Sequence, residues 1–251
     1  MANLSTAKPN QFQQYSKWER IEMKMSARIA YLGVTNYAEA HALQVCLTER
    51  RRSDAIPYDI FLVTEHEDTF TLGRSGGREN LMVSEQFLLK KGIPLVQVER
   101  GGDITFHGKG QLVIYPIFHM RKAGLTVSEY VYRMEELMIK LAADNEVYAT
   151  RSPRNHGVWV KGKKLGSVGL AVRHGVAFHG LALNVNINLE PFCWVNPCGL
   201  TDVQMTSLSN EIGKEILVDN ILMDLGKHIS SVFTCSITPI TKDNFDIGRH
   251  S

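Results

Sequence analysis

No two cysteines of this chain form a CxxC pair, and there are only four: Cys46, Cys193, Cys198 and Cys235. Zinc-type spacing and a dense disulfide framework are therefore absent, and free thiols in a reducing cytoplasm are the simplest account. Apolar runs are short as well, and none approaches the length of a membrane span. The N-terminal stretch is polar, carries Lys8, Lys17, Glu19, Arg20 and Glu22, and lacks the apolar core of a secretion signal. Cytoplasmic localisation, away from membranes, is the expectation. Charge of one sign is scarce too. Lys and Arg number 28 against 26 Asp and Glu, a formal net charge of +2, too small to argue for nucleic acid. A GxGxxG that opens a helix after the first strand is missing, which disfavours a dinucleotide fold, and there is no P-loop. No metal and no cofactor are expected.

What remains is ordinary globular composition, 44% hydrophobic and 22% charged over 251 residues, enough for a sizeable core. Residues 1–26 read as an N-terminal extension and 27–251 as a single domain. Ala27–Val34, Ile60–Thr64, Phe70–Leu72, Leu95–Val98, Leu112–Pro116, Val158–Val160, Lys164–Val172 and Phe178–Val185 read as strands by length and β-branched content. Helices are expected from Asn36 to about Arg50, Ser84 to Lys91, 126 to 143 and about Asp219 to Phe233. Asn36 with Glu39, and Thr126 with Glu129, have capping-box spacing. Glu65–Asp68 reads as a turn, and Arg173-His174-Gly175 as a hairpin turn. Arg50-Arg51-Arg52 reads either as a solvated cluster favoured by the helix dipole or as a docking patch. Helices interspersed among short, hairpin-linked strands indicate an α/β fold, a mixed sheet with surrounding helices.

The most concentrated stretch is Arg100-Gly-Gly-Asp-Ile-Thr-Phe-His-Gly-Lys-Gly-Gln111. It holds more glycine than a hairpin turn needs, and glycine lets a ligand approach the main chain. An irregular hairpin with a bulge explains the spacing equally well. A second glycine-rich loop, Gly73-Arg74-Ser75-Gly76-Gly77-Arg78, is weaker evidence. The third region spans 161–200. There Cys198 sits between Pro197 and Gly199, turn formers that give it a tight loop rather than a strand core. Cys46 and Cys235 read as buried small hydrophobes, and Cys193 as an unreactive neighbour of Trp194.

Four motifs in this order resemble the lipoyl(octanoyl) transferases: Arg-Gly-Gly-Asp-Ile-Thr-Phe-His-Gly at 100–108, Gly-Lys-Lys-Leu at 162–165, His-Gly-Leu-Ala-Leu-Asn-Val at 179–185 and Asn-Pro-Cys-Gly at 196–199. The resemblance covers roughly residues 28–235. It implies the catalytic-domain fold of lipoate ligases and biotin protein ligases. The implied activity is transfer of an octanoyl group from octanoyl–acyl carrier protein to a lysine of lipoyl domains in 2-oxoacid dehydrogenase subunits or the glycine-cleavage H protein. By the same resemblance Cys198 is the acyl-thioester nucleophile and Lys164 lowers its pKa. Substrate binding falls to Arg100, Gly101, Gly102, Asp103, Ile104, Thr105, Phe106 and His107, to Ser167, Val168 and Gly169, and to Gly180, Leu181 and Ala182. His179 and Arg74 are supporting candidates. Two positions depart from the family pattern. Lys109 replaces the usual proline, so a looser or more cationic loop exit is expected, and Gly166-Ser167 replaces two common alanines.

The chemistry is consistent in magnitude. A free thiol with a pKa of about 8.5 is only a few per cent thiolate at neutral pH. Lowering that pKa by two units takes about 2.7 kcal/mol. An ammonium about 4 Å away supplies roughly 4 kcal/mol at an effective dielectric of about 20, before its own desolvation. Neutral Lys164 could then take the proton from the incoming amine, and glycine-loop amides could hold the oxyanion. Ile104, Phe106, Val168 and Leu181 either line a slot for the eight-carbon chain or are plain core. His107 and His179 either orient the thioester or are satisfied by the backbone. Two other functions compete: an ATP-dependent lipoate or biotin ligase on the same fold, and a non-catalytic module whose basic turns hold an acidic partner. The resemblance also implies an acidic carrier protein as donor, which makes Arg50–Arg52, Arg121 and Lys122 candidate docking residues.

Overall fold

A computed structural model of the protein describes residues 25–153, 155–196, 203–241 and 245. The apolar runs assemble into one mixed sheet of eight strands. From edge to edge these are β11 (Cys235–Pro239), β1 (Met25–Thr35), β2 (Asp59–His66), β6 (Gln111–His119), β10 (Val176–Asn184), β9 (Lys163–Arg173), β8 (Gly157–Val160) and β7 (Thr150–Arg151). β1 runs parallel to β2 and β11, and the other neighbours pair antiparallel. A smaller sheet has β3 (Thr69–Leu72) between β4 (Leu95–Gln97) and β5 (Ile104–His107). The mixed α/β class expected from the sequence is the one that forms.

Each long helix covers the sheet with the stripe its sequence marks. α1 (Tyr37–Arg52) packs Ala40, Leu43 and Leu47 on Ile60, Leu62, Val113 and Phe178. α3 (Val127–Ala143) and α5 (Val218–Phe233) cover the opposite face with Met134, Leu137, Met138, Ile221, Leu225 and Ile229, against Phe61 and Phe118. Thr126 and Glu129 make both bonds of the capping box, and Asn36 caps α1 by accepting from the Ala38 amide at 2.9 Å. α2 (Glu85–Lys90) ends before Gly92 and the short α4 (Leu208–Ile212) at Gly213, whose φ of 70° and 71° are left-handed, as expected of helix stops. β9 and β10 are joined by His174 and Gly175, with φ of 49° and 88°, the pairing a tight hairpin requires.

The structure corrects the sequence reading in several places. The glycine-rich stretch does not link β4 to β6 as a hairpin. Its centre is itself a strand, β5, which pairs antiparallel with β3 and sets Leu72 opposite Ile104 and Thr69 opposite His107. Burial of Ile104 and Phe106 with Phe70 holds it there. The expected turn at Glu65–Asp68 begins two residues later. His66 stays in β2 because its buried ring bonds the Tyr115 hydroxyl at 2.7 Å. β11 went unread because only Cys235 of its five residues is buried. The arginine cluster is neither a solvated group nor one patch. Arg51 is buried and bonds Asp59 at 2.7 Å, Arg50 bonds the Phe245 carbonyl at 2.6 Å, and Arg52 makes an exposed pair with Glu49. Cys235 is buried as expected, whereas Cys46 is only half-buried.

Candidate active site

Between α1, the small sheet and the β9–β10 hairpin lies a cavity of about 90 Å³. Its wall takes Arg100–Thr105 and His107 from the glycine-rich stretch, Lys164 and Ser167–Gly169 from β9, and His179–Ala182 from β10. Stretches distant in sequence thus border one space, and the site residues expected from the sequence supply most of its lining. Phe106 does not line it. It packs against Phe70 and Phe192, with ring centres 5.1 and 5.6 Å away. Arg74 is exposed and outside the lining, and only its main chain takes part, donating to the Arg100 carbonyl at 2.9 Å. Lys109 is exposed too. The looser loop exit expected there is not found, because the Gly110 carbonyl accepts from the amides of Val185, Asn186 and Ile187 at 3.0, 2.9 and 3.1 Å.

Local structure explains the positions. Gly180 has no room for a side chain, since a Cβ there would lie 2.1 Å from the Ile114 carbonyl oxygen. Strand β10 can therefore approach β6 closely while Leu181 and Ala182 border the cavity. Arg100 is buried, and its guanidinium donates to the Thr71 carbonyl and hydroxyl, both at 2.8 Å, and to the Gly101 carbonyl at 3.1 Å. It thus places a permanent cation in the wall. Asp103 accepts from the Ile104 amide and the Asn80 side chain, both at 2.6 Å, and burial raises its pKa.

Lys164 is buried in the same wall. Its Nζ donates to Asn155 Oδ1 at 3.2 Å and stands 5.5 Å from the centre of the Trp159 ring. Its main chain is clamped from both sides, with the amide on the Gln204 carbonyl at 2.8 Å and the carbonyl on the Thr206 amide at 2.9 Å. Cys198 lies outside the described residues. The flanking residues are tied to the cavity. Before it, the Asn196 amide bonds the Asn80 carbonyl at 2.8 Å, and Asn80 holds Asp103. After it, Met205 lines the cavity and bridges Lys164.

The buried histidines are neutral. Burial pulls the His107 pKa down to about 3, and its Nδ1 meets Gln111 Oε1 at 2.8 Å. Burial likewise brings His179 to about 3 and His66 to about 4. Tyr37, Val113, Tyr115, Asn155, Phe192 and Met205 also line the cavity and were not read from the sequence. Val113 and Tyr115 sit in a continuous apolar strand that reads as core, and Asn155 and Met205 carry no periodic signal at all.

A model of the lipoyl protein ligase A/B catalytic domain matches residues 36–230. The chain belongs to this family. An octanoyltransferase from Desulfotalea psychrophila is 52% identical over 73% of this chain and 83% of that one. Another, from Syntrophobacter fumaroxidans, is 43% identical over 84% of this chain and 92% of that one. Likeness of this extent makes this family member an acyltransferase enzyme. A lipoate-protein ligase A solved with ATP superposes with a TM-score of 0.74, covering 86% of this chain and 89% of that one at 16% identity. A bipartite lipoate protein ligase from Thermoplasma acidophilum gives 0.68, covering 86% and 87% at 16% identity. These two structures speak for the fold alone.

Proposed function

We propose that this acyltransferase moves an octanoyl group from octanoyl–acyl carrier protein to a lysine of a lipoyl domain, through a thioester on Cys198. The carrying observation is the cavity, in which the motif residues converge around buried Lys164. In the first half-reaction the Cys198 thiolate attacks the donor thioester, and the carrier sulfur leaves with the proton of the Lys164 ammonium, which becomes neutral. In the second, the lysine amine attacks the acyl-enzyme carbonyl and the Cys198 thiolate departs. The amine's proton passes to neutral Lys164. Splitting the transfer lowers each barrier, and the Lys164 ammonium favours the thiolate over the thiol. Ile104, Val168 and Leu181 give the alkyl chain an apolar wall, while Phe106 supports β5 from behind.

The test is to mix the enzyme with unmodified lipoyl domain and either octanoyl–carrier protein or octanoate plus ATP. Modification with the carrier-bound donor alone is expected. Modification only with octanoate and ATP would assign the chain to the ligase chemistry instead.

A further inference from the structure

Beside the cavity, three metal-ligating side chains converge from separate parts of the chain: His41 on α1, Glu99 after β4 and His179 on β10. His41 Nε2 lies 2.9 Å from Glu99 Oε2, and His179 Nε2 lies 3.7 Å from the same oxygen. All three donor atoms fall within 4.8 Å of one another. We propose that these residues bind a divalent transition metal ion of the zinc class.

The second observation is the state of His179. Its side chain is 1% exposed, and neither ring nitrogen has a hydrogen-bond partner. Leaving a buried polar group unpaired costs about 1–3 kcal/mol. The backbone there has φ of 55°, a left-handed conformation uncommon for a residue other than glycine. The consequence is visible in the strand. Adjacent side chains of a regular strand point to opposite faces, yet the Phe178 and His179 rings lie 4.9 Å apart. The β10–β6 pairing is interrupted between Ala177 and Leu181, and the His179 amide turns to Gln44 Oε1 at 2.9 Å. A strained backbone thus carries an unbonded, neutral imidazole toward a carboxylate. Strain and an unpaired buried group at one residue are marks of a functional site.

The geometry suits the ion. Zinc at 2.0–2.1 Å from tetrahedral ligands sets their donor atoms about 3.3 Å apart and the centres of two bound imidazoles about 5 Å apart. The His41 and His179 ring centres are 5.4 Å apart, so small side-chain adjustments suffice. Glu99 is oriented from behind, because Arg173 Nη2 holds its Oε1 at 2.9 Å and leaves Oε2 between the imidazoles, the usual arrangement of an outer partner. Two nitrogens and one carboxylate oxygen are a zinc-type donor set that leaves a fourth position for water. The site uses neither Lys164 nor Cys198. His179 pairs with Leu170 on β9, six residues or about 20 Å along the strand from Lys164. His179 also lines the cavity, but the metal titration reads binding alone, so its outcome is distinguishable from that of the acyl-transfer reading.

The test titrates the full chain, free of any histidine tag, with CoCl2 and then ZnCl2. One Co2+ per chain is expected, with the intense visible bands of a tetrahedral site, no thiolate charge-transfer band, and displacement by Zn2+. His41→Ala, outside the cavity wall, is expected to weaken binding at least about tenfold without shifting the metal-free thermal midpoint. Glu99→Gln provides an independent second variant. Equal affinity in both variants, no stoichiometric uptake, or a thiolate band that assigns the ion to a cysteine would overturn the proposal.

Discussion

On the face of the large sheet that meets α3 and α5, Phe61, Ile114, Phe118, Leu137, Met138 and Leu225 form one apolar cluster, and buried Glu135 of α3 accepts from the Gly157 amide at 2.9 Å. On the face toward α1 and the small sheet, apolar residues share the interior with His66, His107, His179, Arg100, Gln44 and Lys164. Both faces are equally hidden from water. The first is closed mainly by apolar packing, whereas the second uses hydrogen bonds and a strained residue to keep polar groups around a cavity. Burying polar groups costs free energy unless each finds a partner, so the contrast separates the face that mainly stabilises the fold from the face to which the proposed chemistry is assigned.

The largest expected effect is on the polar face. Lys164→Met keeps the buried volume and removes the ammonium. Acyl transfer should fall at least about a hundredfold, the usual scale for loss of an acid–base group, while the thermal midpoint changes little. Steady-state rates beside a melting curve check this, and a fully active variant would break the contrast. Next comes the packed face. Leu137→Ala removes a fully buried side chain and should cost about 2–5 kcal/mol of stability, measured by denaturant unfolding. The rate per folded molecule should stay at the wild-type value.

The smallest effect concerns acid. His66 accepts or donates with Thr35 and the Tyr115 hydroxyl and faces the rings of Tyr37 and His107. Its pKa of about 4 in the fold lies below the ordinary 6.5. As pH falls below 6.5 the unfolded chain therefore takes up the proton first. Stability complete above that pH is lost toward pH 4, by about 3 kcal/mol for this one group. Denaturation midpoints between those values should drop in the wild type, and His66→Gln should flatten the slope. An unchanged slope would show that His66 protonates equally in both states.

The packed face was the legible one. The stripes of α3 and α5 and the left-handed turn at His174-Gly175 follow from periodicity and turn chemistry, rules that depend only on near neighbours. The polar face depends on contacts between distant residues. Glu99, His41 and His179 meet only after α1 folds onto the sheet, and no spacing links them. The run Phe178–Val185 reads as a plain strand, so the left-handed backbone at His179 leaves no trace in its letters. β5 was hidden because Ile104–His107 is too short to display a period. Most cavity residues were found through the family motifs, while Tyr115 and Val113 passed for core because strand β6 is buried on both sides.

The most direct measurement of the central claim is a peptide map, by mass spectrometry, of enzyme quenched after brief exposure to octanoyl–carrier protein without acceptor. One octanoyl group on Cys198, lost when lipoyl domain is added, is the predicted result. An adduct on exposed Cys193, or acyl transfer that proceeds in Cys198→Ala, would contradict the account.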